Sequence, residues 1–159
     1  MFSQTTEYAL RVVAYLAGLP NVPATTRQMA AAVRIPESYL AKVLQLLSRA
    51  GLISSQRGLH GGSTLARPAE DITLYDVVQA IDPIPRIKTC PLGLKSHGTQ
   101  LCPVHKRLDH TMDLVEQELR RSTLADLLAE PSTSKPLCEA AFVEPGKSAP
   151  VALTVSRKK

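Results

Sequence analysis

Two cysteines and two histidines lie within sixteen residues of a 159-residue chain: Cys90, His97, Cys102 and His105. No other stretch concentrates so many groups able to bind a metal or change oxidation state. Cys90 and Cys102 could form a thiol–disulfide pair, with the basic Lys95 and His97 between them to assist thiol chemistry. All four could surround a tetrahedral zinc ion, although spacings of 7, 5 and 3 residues match no standard zinc-finger pattern. The cysteines could equally pack as small hydrophobes and bind nothing. A Cys–His pair is also the minimum for nucleophilic catalysis. No Gly-x-Ser-x-Gly, oxyanion feature or catalytic cysteine signature accompanies it, so an enzyme is not expected. The third cysteine, Cys138, stands apart near the C-terminus and reads as a bystander.

The elements around this loop must position it. After it, Leu101, Val104, Leu108, Met112, Val115 and Leu119 recur at steps of 3, 4, 4, 3 and 4 residues. That is the seam of a long, coiled-coil-like helix. Such a seam needs a partner: a second copy is the simplest, and the chain's own first helix is the alternative. Before the loop, Thr73-x-x-Asp76 caps a helix with Leu74, Val77, Val78 and Ile81 on its apolar side, ended by Pro83 and Pro85. After the long helix, Ser122-Thr123 with Asp126 restarts a short one, Leu124 to Leu128. Residues 131–159 carry four prolines and a basic end, and read as a tail without a fixed fold.

The first 67 residues have a different character. The chain carries 19 Lys and Arg against 14 Asp and Glu, a net +5, and all of the excess falls within residues 1–67. Such an asymmetry points to a polyanion partner for one region. There, Thr6, Ala9, Leu10, Val13, Leu16 and Ala17 mark a helix beginning at Ser3. Thr25-x-x-Gln28 is a capping box opening a second helix, with Met29, Ala32 and Val33 inward. Pro36 and Glu37 start a third, with Leu40, Val43, Leu44 and Leu47 buried and Gly51 as its stop. The short link between the second and third helices is helix-turn-helix spacing. Leu52–Ser55 and Ser63–Ala66 then read as two strands around a turn with glycines at 58, 61 and 62, which is a wing. The turn opens no helix and lacks Gly-Lys-Ser/Thr, so it is not a nucleotide-binding loop.

The fold class expected is mainly α with a small β-wing: a winged helix-turn-helix over 1–67, then a linker helix, sensor loop (about 88–105) and dimerisation helix over 68–130. Ser38 and Lys42 fall on one exposed face of the third helix, where side chains reach base edges in the major groove. Tyr39 is placed to reach a phosphate, or to pack beside the helix. Ser38 can alternatively cap or solubilise the first turn. Arg57 at the wing's base suits a narrow minor groove, with His60, Gly61 and Gly62 near the tip.

Other classes fall away. The longest apolar stretch near the start, Val12–Leu19, has eight residues, against about 20 for a membrane span. No basic segment precedes an apolar one as in a secretory signal, and three cysteines are too few for a secreted disulfide scaffold, so the expected compartment is the cytosol. No Trp and six aromatics argue against a stacking platform for single strands.

Several motifs in order resemble the IscR/NsrR/CymR (Rrf-two) family of regulators: Ser38-Tyr39-Leu40, Ala50-Gly51-Leu52-Ile53, Arg57-Gly58-x-x-Gly61-Gly62, Leu65-Ala66-Arg67-Pro68, Ile72-Thr73-Leu74-x-Asp76-Val77 and the Cys-bearing loop. The likeness spans residues 1 to about 130. It implies a homodimeric winged-helix transcription regulator, usually a repressor, on an imperfect palindrome of double-stranded DNA. Ser38, Tyr39 and Lys42 would then lie at the operator, and Arg57 in the minor groove. Many members hold an iron–sulfur cluster with three cysteines of this loop. Here Cys90 and Cys102 match the outer two, and Ser96-His97 stands near the missing middle one. Cys102-x-x-His105 resembles the last cysteine and the histidine ligand of cluster-binding members. Glu7 stands where some relatives supply a carboxylate from one subunit. The resemblance thus implies a possible cluster, 2Fe–2S rather than 4Fe–4S, on Cys90, Cys102 and His105 or His97, with Glu7 as a candidate from the partner. Its oxidation, nitrosylation or loss would move the loop and the dimer helix. Without a cluster, the same fold would sense thiol oxidation or a small ligand.

Overall fold

A computed structural model of the chain describes residues 2–58, 61–94 and 100–131. His60, Lys95, Ser96, His97, Cys138 and the expected tail lie outside the described residues. The chain runs through α1 (Gln4–Ala17), α2 (Thr26–Val33), α3 (Glu37–Arg49), β1 (Ile53–Gln56), β2 (Gly62–Leu65), a 3-10 turn (Ala69–Asp71), α4 (Leu74–Ile81), α5 (Pro103–Arg121) and α6 (Leu124–Ala129). This is the mainly helical architecture with a small β-wing that the sequence leads one to expect. Among the described residues, no helix is long and apolar enough to cross a membrane.

Capping chemistry sets most of the boundaries. The Ser3 hydroxyl accepts from the Thr6 N–H at 3.2 Å and starts α1. Thr25, Thr73 and Thr123 each close a full capping box, with Gln28, Asp76 and Asp126 reaching back. A left-handed residue, Arg34 (φ 54°), ends α2, and Pro36 opens α3 two residues later. At the far end of α3, Gly51 (φ 69°) donates to Ser48, and Leu52 donates back to Leu47, both at 3.0 Å. That paired arrangement at a left-handed glycine is a Schellman stop.

The same stop moves the wing. The strands pair antiparallel as Ile53↔Leu65 through Gln56↔Gly62. Both begin and end one residue away from the expected Leu52–Ser55 and Ser63–Ala66. Leu52 is only half in the ladder: its carbonyl accepts from Ala66 at 3.0 Å, while its N–H is held by Leu47 of α3. A further bridge, Ala24↔Ser63, hydrogen-bonds the outer edge of β2 to the α1–α2 connection at 2.8 and 3.0 Å.

One core holds these elements together. Leu40, Val43, Leu44 and Leu47 of α3 are buried as their spacing implies, beside Met29 and Val33 of α2. Helix α1 is buried more widely than one stripe, including Val12, Ala14 and Tyr15, because α2, α3, α4 and α6 all pack on it. Ile72, Val77 and Leu124 belong to the same cluster. The starts of α4 and α6 lie back to back: Leu74 donates to Ser122 and Leu124 to Ile72, each at 2.9 Å. The core therefore continues across Pro68, where the division between two functional regions was expected. Helix α5 is different. It packs along α4, none of its residues is buried, and Val104, Leu108 and Val115 of its seam are exposed.

Candidate nucleic-acid interface and cysteine loop

The outer face of α3 and the wing form one polar surface. Ser38, Lys42, Gln45, Ser48 and Arg49 are exposed on α3, while its opposite side is sealed into the core. Ser38 makes no capping bond, since the N-cap position belongs to Pro36. Lys42 lines a groove shared with the wing; Ser38 is not among the groove residues. Arg57 is exposed at the end of β1 and forms no ion pair among the described residues.

Tyr39 is held from both sides. Its hydroxyl hydrogen-bonds Thr5 of α1 at 2.5 Å, and its ring meets Tyr8 edge to face at 5.5 Å between centroids. It is half-buried, so it joins the reading helix to α1 while leaving part of the side chain at the surface. This tie to α1 carries no local sequence signal, because its partners are more than thirty residues away.

The glycines of the wing answer to packing. A Cβ on Gly62 would meet the Ala24 carbonyl oxygen at 2.8 Å, and one on Gly61 the Gln56 carbonyl oxygen at 2.6 Å. Only glycine lets β2 approach the α1–α2 connection this closely.

The cysteine loop is bracketed by α5. Cys102 is the N-cap of α5, and its Sγ lies 3.4 Å from His105 Nδ1, one turn on. Cys90 is buried beside a turn closed by Gly93 (φ 63°). No disulfide joins Cys90 to Cys102, and among the described residues no three Cys, His, Asp or Glu side chains assemble as a metal-binding group. Cys102 and His105 fit as two neighbouring donors, but a 2Fe–2S cluster takes four protein ligands. In this arrangement the described residues do not make a complete site. Glu7 is exposed on α1, where its carboxylate pairs with Arg11.

Arg86 is a positioning residue of the loop for which the sequence reading had no assignment. It lies in the extended segment between α4 and Cys90. Its guanidinium forks onto Asp109 at 2.8 and 2.9 Å and reaches Asp113 at 2.8 Å and Glu116 at 3.3 Å. The Ile87 N–H adds a bond to Asp109 at 2.8 Å. The hydrogen bond from Arg86, then that from Ile87, hold the Asp109 carboxyl down at about 2 and raise the Arg86 guanidinium further. Glu116 continues the network to Arg120, whose guanidinium stacks 3.4 Å above Tyr75 of α4. Both ends of the cysteine loop are thereby fixed to α5. The visible signal was the acidic stripe at 109, 113 and 116, which has helical spacing.

A helix-turn-helix with a docked two-stranded wing and a basic, exposed third helix defines a winged-helix DNA-binding protein. Residues 2–130 match the family model Rrf2, described as iron-dependent transcriptional regulators, and the chain belongs to that family. It is similar in fold to CymR (YrzC), the global cysteine regulator of B. subtilis, with a TM-score of 0.69 and 23% identity over 83% of this chain and 98% of that one. IscR of T. potens gives 0.65 and 23% over 84% and 93%. CymR of Staphylococcus aureus gives 0.62 and 28% over 83% and 100%. The chain is thus a DNA-binding transcriptional regulator of the Rrf2 family.

Proposed function

We propose that the protein is a homodimeric regulator, in the usual sense a repressor, that binds an imperfect palindromic operator in the cytoplasm and adjusts that binding through its cysteine loop. The observation that carries the reading is the position of Cys102. It stands at the N-cap position of the helix whose exposed seam is available to a second copy, and its Sγ meets His105 of that helix, so a change at its sulfur bears on the element that would join two DNA-reading heads. Ser38 and Lys42 face the major groove, Tyr39 sets register against the backbone, and Arg57 with His60, Gly61 and Gly62 engages the minor groove. The exposed Val104, Leu108 and Val115 support dimerisation through α5.

Two kinds of signal fit the loop. In the first, redox, iron–sulfur or nitric oxide status acts through a cluster on Cys90, Cys102 and His105, completed by His97 or by Glu7 of a second copy. In the second, thiol oxidation alone acts at Cys102, whose Sγ lies 3.4 Å from His105 Nδ1. Anaerobic purification with a visible spectrum and iron, zinc and sulfide assays separates them. Iron and sulfide with visible absorbance support the cluster, and a colourless, iron-free protein after reconstitution removes it. Mass spectrometry after mild oxidation then tests for a Cys90–Cys102 bond. Cys102→Ala is expected to keep its fold and lose the response of DNA binding to oxidant; an unchanged response removes Cys102 from the sensor. For the regulator itself, the protein should retard a duplex from its own upstream region, with affinity falling steeply as salt rises.

A further inference from the structure

Between α3 and the wing runs an open groove of about 740 Å³. Lys42, Gln45 and Arg49 form one wall, spaced so that they share a stripe of α3. Ser55 and Gln56 of β1 face them, and Thr26 at the start of α2 stands at one end. No Asp or Glu lines the groove, although the chain has fourteen acids. Beside the apolar Ala41 and Leu44, its lining is cationic, hydroxyl, amide and backbone, without a competing carboxylate. On the wing side the groove is anchored, because β2 is hydrogen-bonded to Ala24 of the α1–α2 connection.

Its place in the molecule selects the ligand. A helix in the major groove and a wing residue in the adjacent minor groove must straddle the sugar–phosphate strand that separates them. This groove joins the exposed face of α3 to the wing. We propose that the groove seats that strand, with Arg49 as its principal phosphate contact and Gln45, Thr26 and Gln56 as neutral donors along it. None of these four belongs to the base-reading set, and the assignment rests on the operator-binding reading above. Arg49 also sits in the last turn of α3, where a cation favours the helix C-terminus by only about 0.3–1 kcal/mol, so its loss should leave the fold intact.

The magnitude follows from counterion release. One phosphate contact contributes a slope of about 0.9 in log affinity against log salt. Between 1 M and 0.1 M salt, that single term is worth about eightfold in affinity for each DNA-bound head. A phosphate contact weakens binding equally on any sequence, whereas a base contact weakens it only on the operator.

The test is a salt titration of binding by the full chain to two duplexes of equal length, one from its own upstream region and one scrambled. Arg49→Gln should lower the slope by about 0.9 per head on both duplexes and leave their affinity ratio unchanged. Arg49→Lys should restore the slope, and Arg121→Gln, a charge removed from the exposed end of α5, should not lower it. An unchanged slope for Arg49→Gln overturns the proposal. So does a loss confined to the upstream duplex, or an equal loss in Arg121→Gln. If the unaltered protein binds neither duplex, the operator reading fails and this assignment falls with it.

Discussion

Leu124→Ala tests whether the segment beyond the long helix is part of the DNA-reading head. Leu124 opens α6, is fully buried, and sits in one cluster with Ile72, Val77 and the buried face of α1. Truncating a buried leucine costs about 2–5 kcal/mol, depending on how far the surroundings collapse into the cavity. Collapse is restricted here, because the Leu124 N–H is tied to Ile72 and the Leu74 N–H to Ser122, each at 2.9 Å. The expected loss therefore lies above the lower end of that range, about 3–4 kcal/mol. With an unfolding entropy of roughly 0.27 kcal/mol/K for about 130 ordered residues, the midpoint should fall by about 11–15 °C. Thermal unfolding followed by far-UV circular dichroism, at one fixed protein concentration, reads this directly. Leu92→Ala, at a loop side chain 73% exposed, is the comparator and should move the midpoint little. A drop under about 3 °C for Leu124→Ala, or a split into two transitions with the first 67 residues melting as before, would refute a single shared core.

Other consequences concern the surface. Arg57→Ala should weaken operator binding without changing the oligomeric state seen by light scattering; unchanged affinity would take Arg57 out of the interface. The Arg86–Asp109 clamp has a defined pH range. The Asp109 carboxyl is held below its ordinary value, at about 2. Its contribution is therefore present above the ordinary carboxyl value, near 3.8, and is lost as pH falls toward 2. Hydrogen-exchange protection at residues 86–94, taken relative to each amide's intrinsic rate at the same pH, should accordingly be high at neutral pH and fall toward pH 2. Arg86→Ala should lower it at neutral pH, and protection equal to that of the unaltered protein would show that the clamp does not hold the segment.

Local chemistry was legible and long-range chemistry was not. Three capping boxes, the buried stripe of α3 and the Gly51 stop all depend on residues within one or two helical turns, and each is found where the sequence places it. The wing was legible as a hairpin, and the pairs Ile53↔Leu65 to Ser55↔Ser63 lie inside both expected strands; only the strand ends differ, by one residue each. Leu52 is shared between the helix stop and the ladder, through its N–H and its carbonyl respectively. Gly61 and Gly62 read as an exposed turn, whereas their lack of a side chain is required by the backbones of Gln56 and Ala24. The pairing of Thr73 with Thr123 and the grip of Arg86 on α5 join residues 23 to 50 positions apart. Periodicity shows the acidic stripe at 109, 113 and 116 but not which distant residue it holds. The candidate site divides in the same way. Ser38, Lys42 and Arg57 could be placed by helical phase and turn composition, while the commitment of Tyr39 to Thr5 and Tyr8 could not.

The most direct test of operator binding by two symmetric heads is a hydroxyl-radical footprint on the region upstream of the protein's own reading frame. The account predicts two protected patches related by two-fold symmetry, their centres separated by about one helical turn, 10–10.5 base pairs, or a multiple of it. Protection without that symmetry, or none at concentrations that saturate retardation of the same fragment, would contradict it.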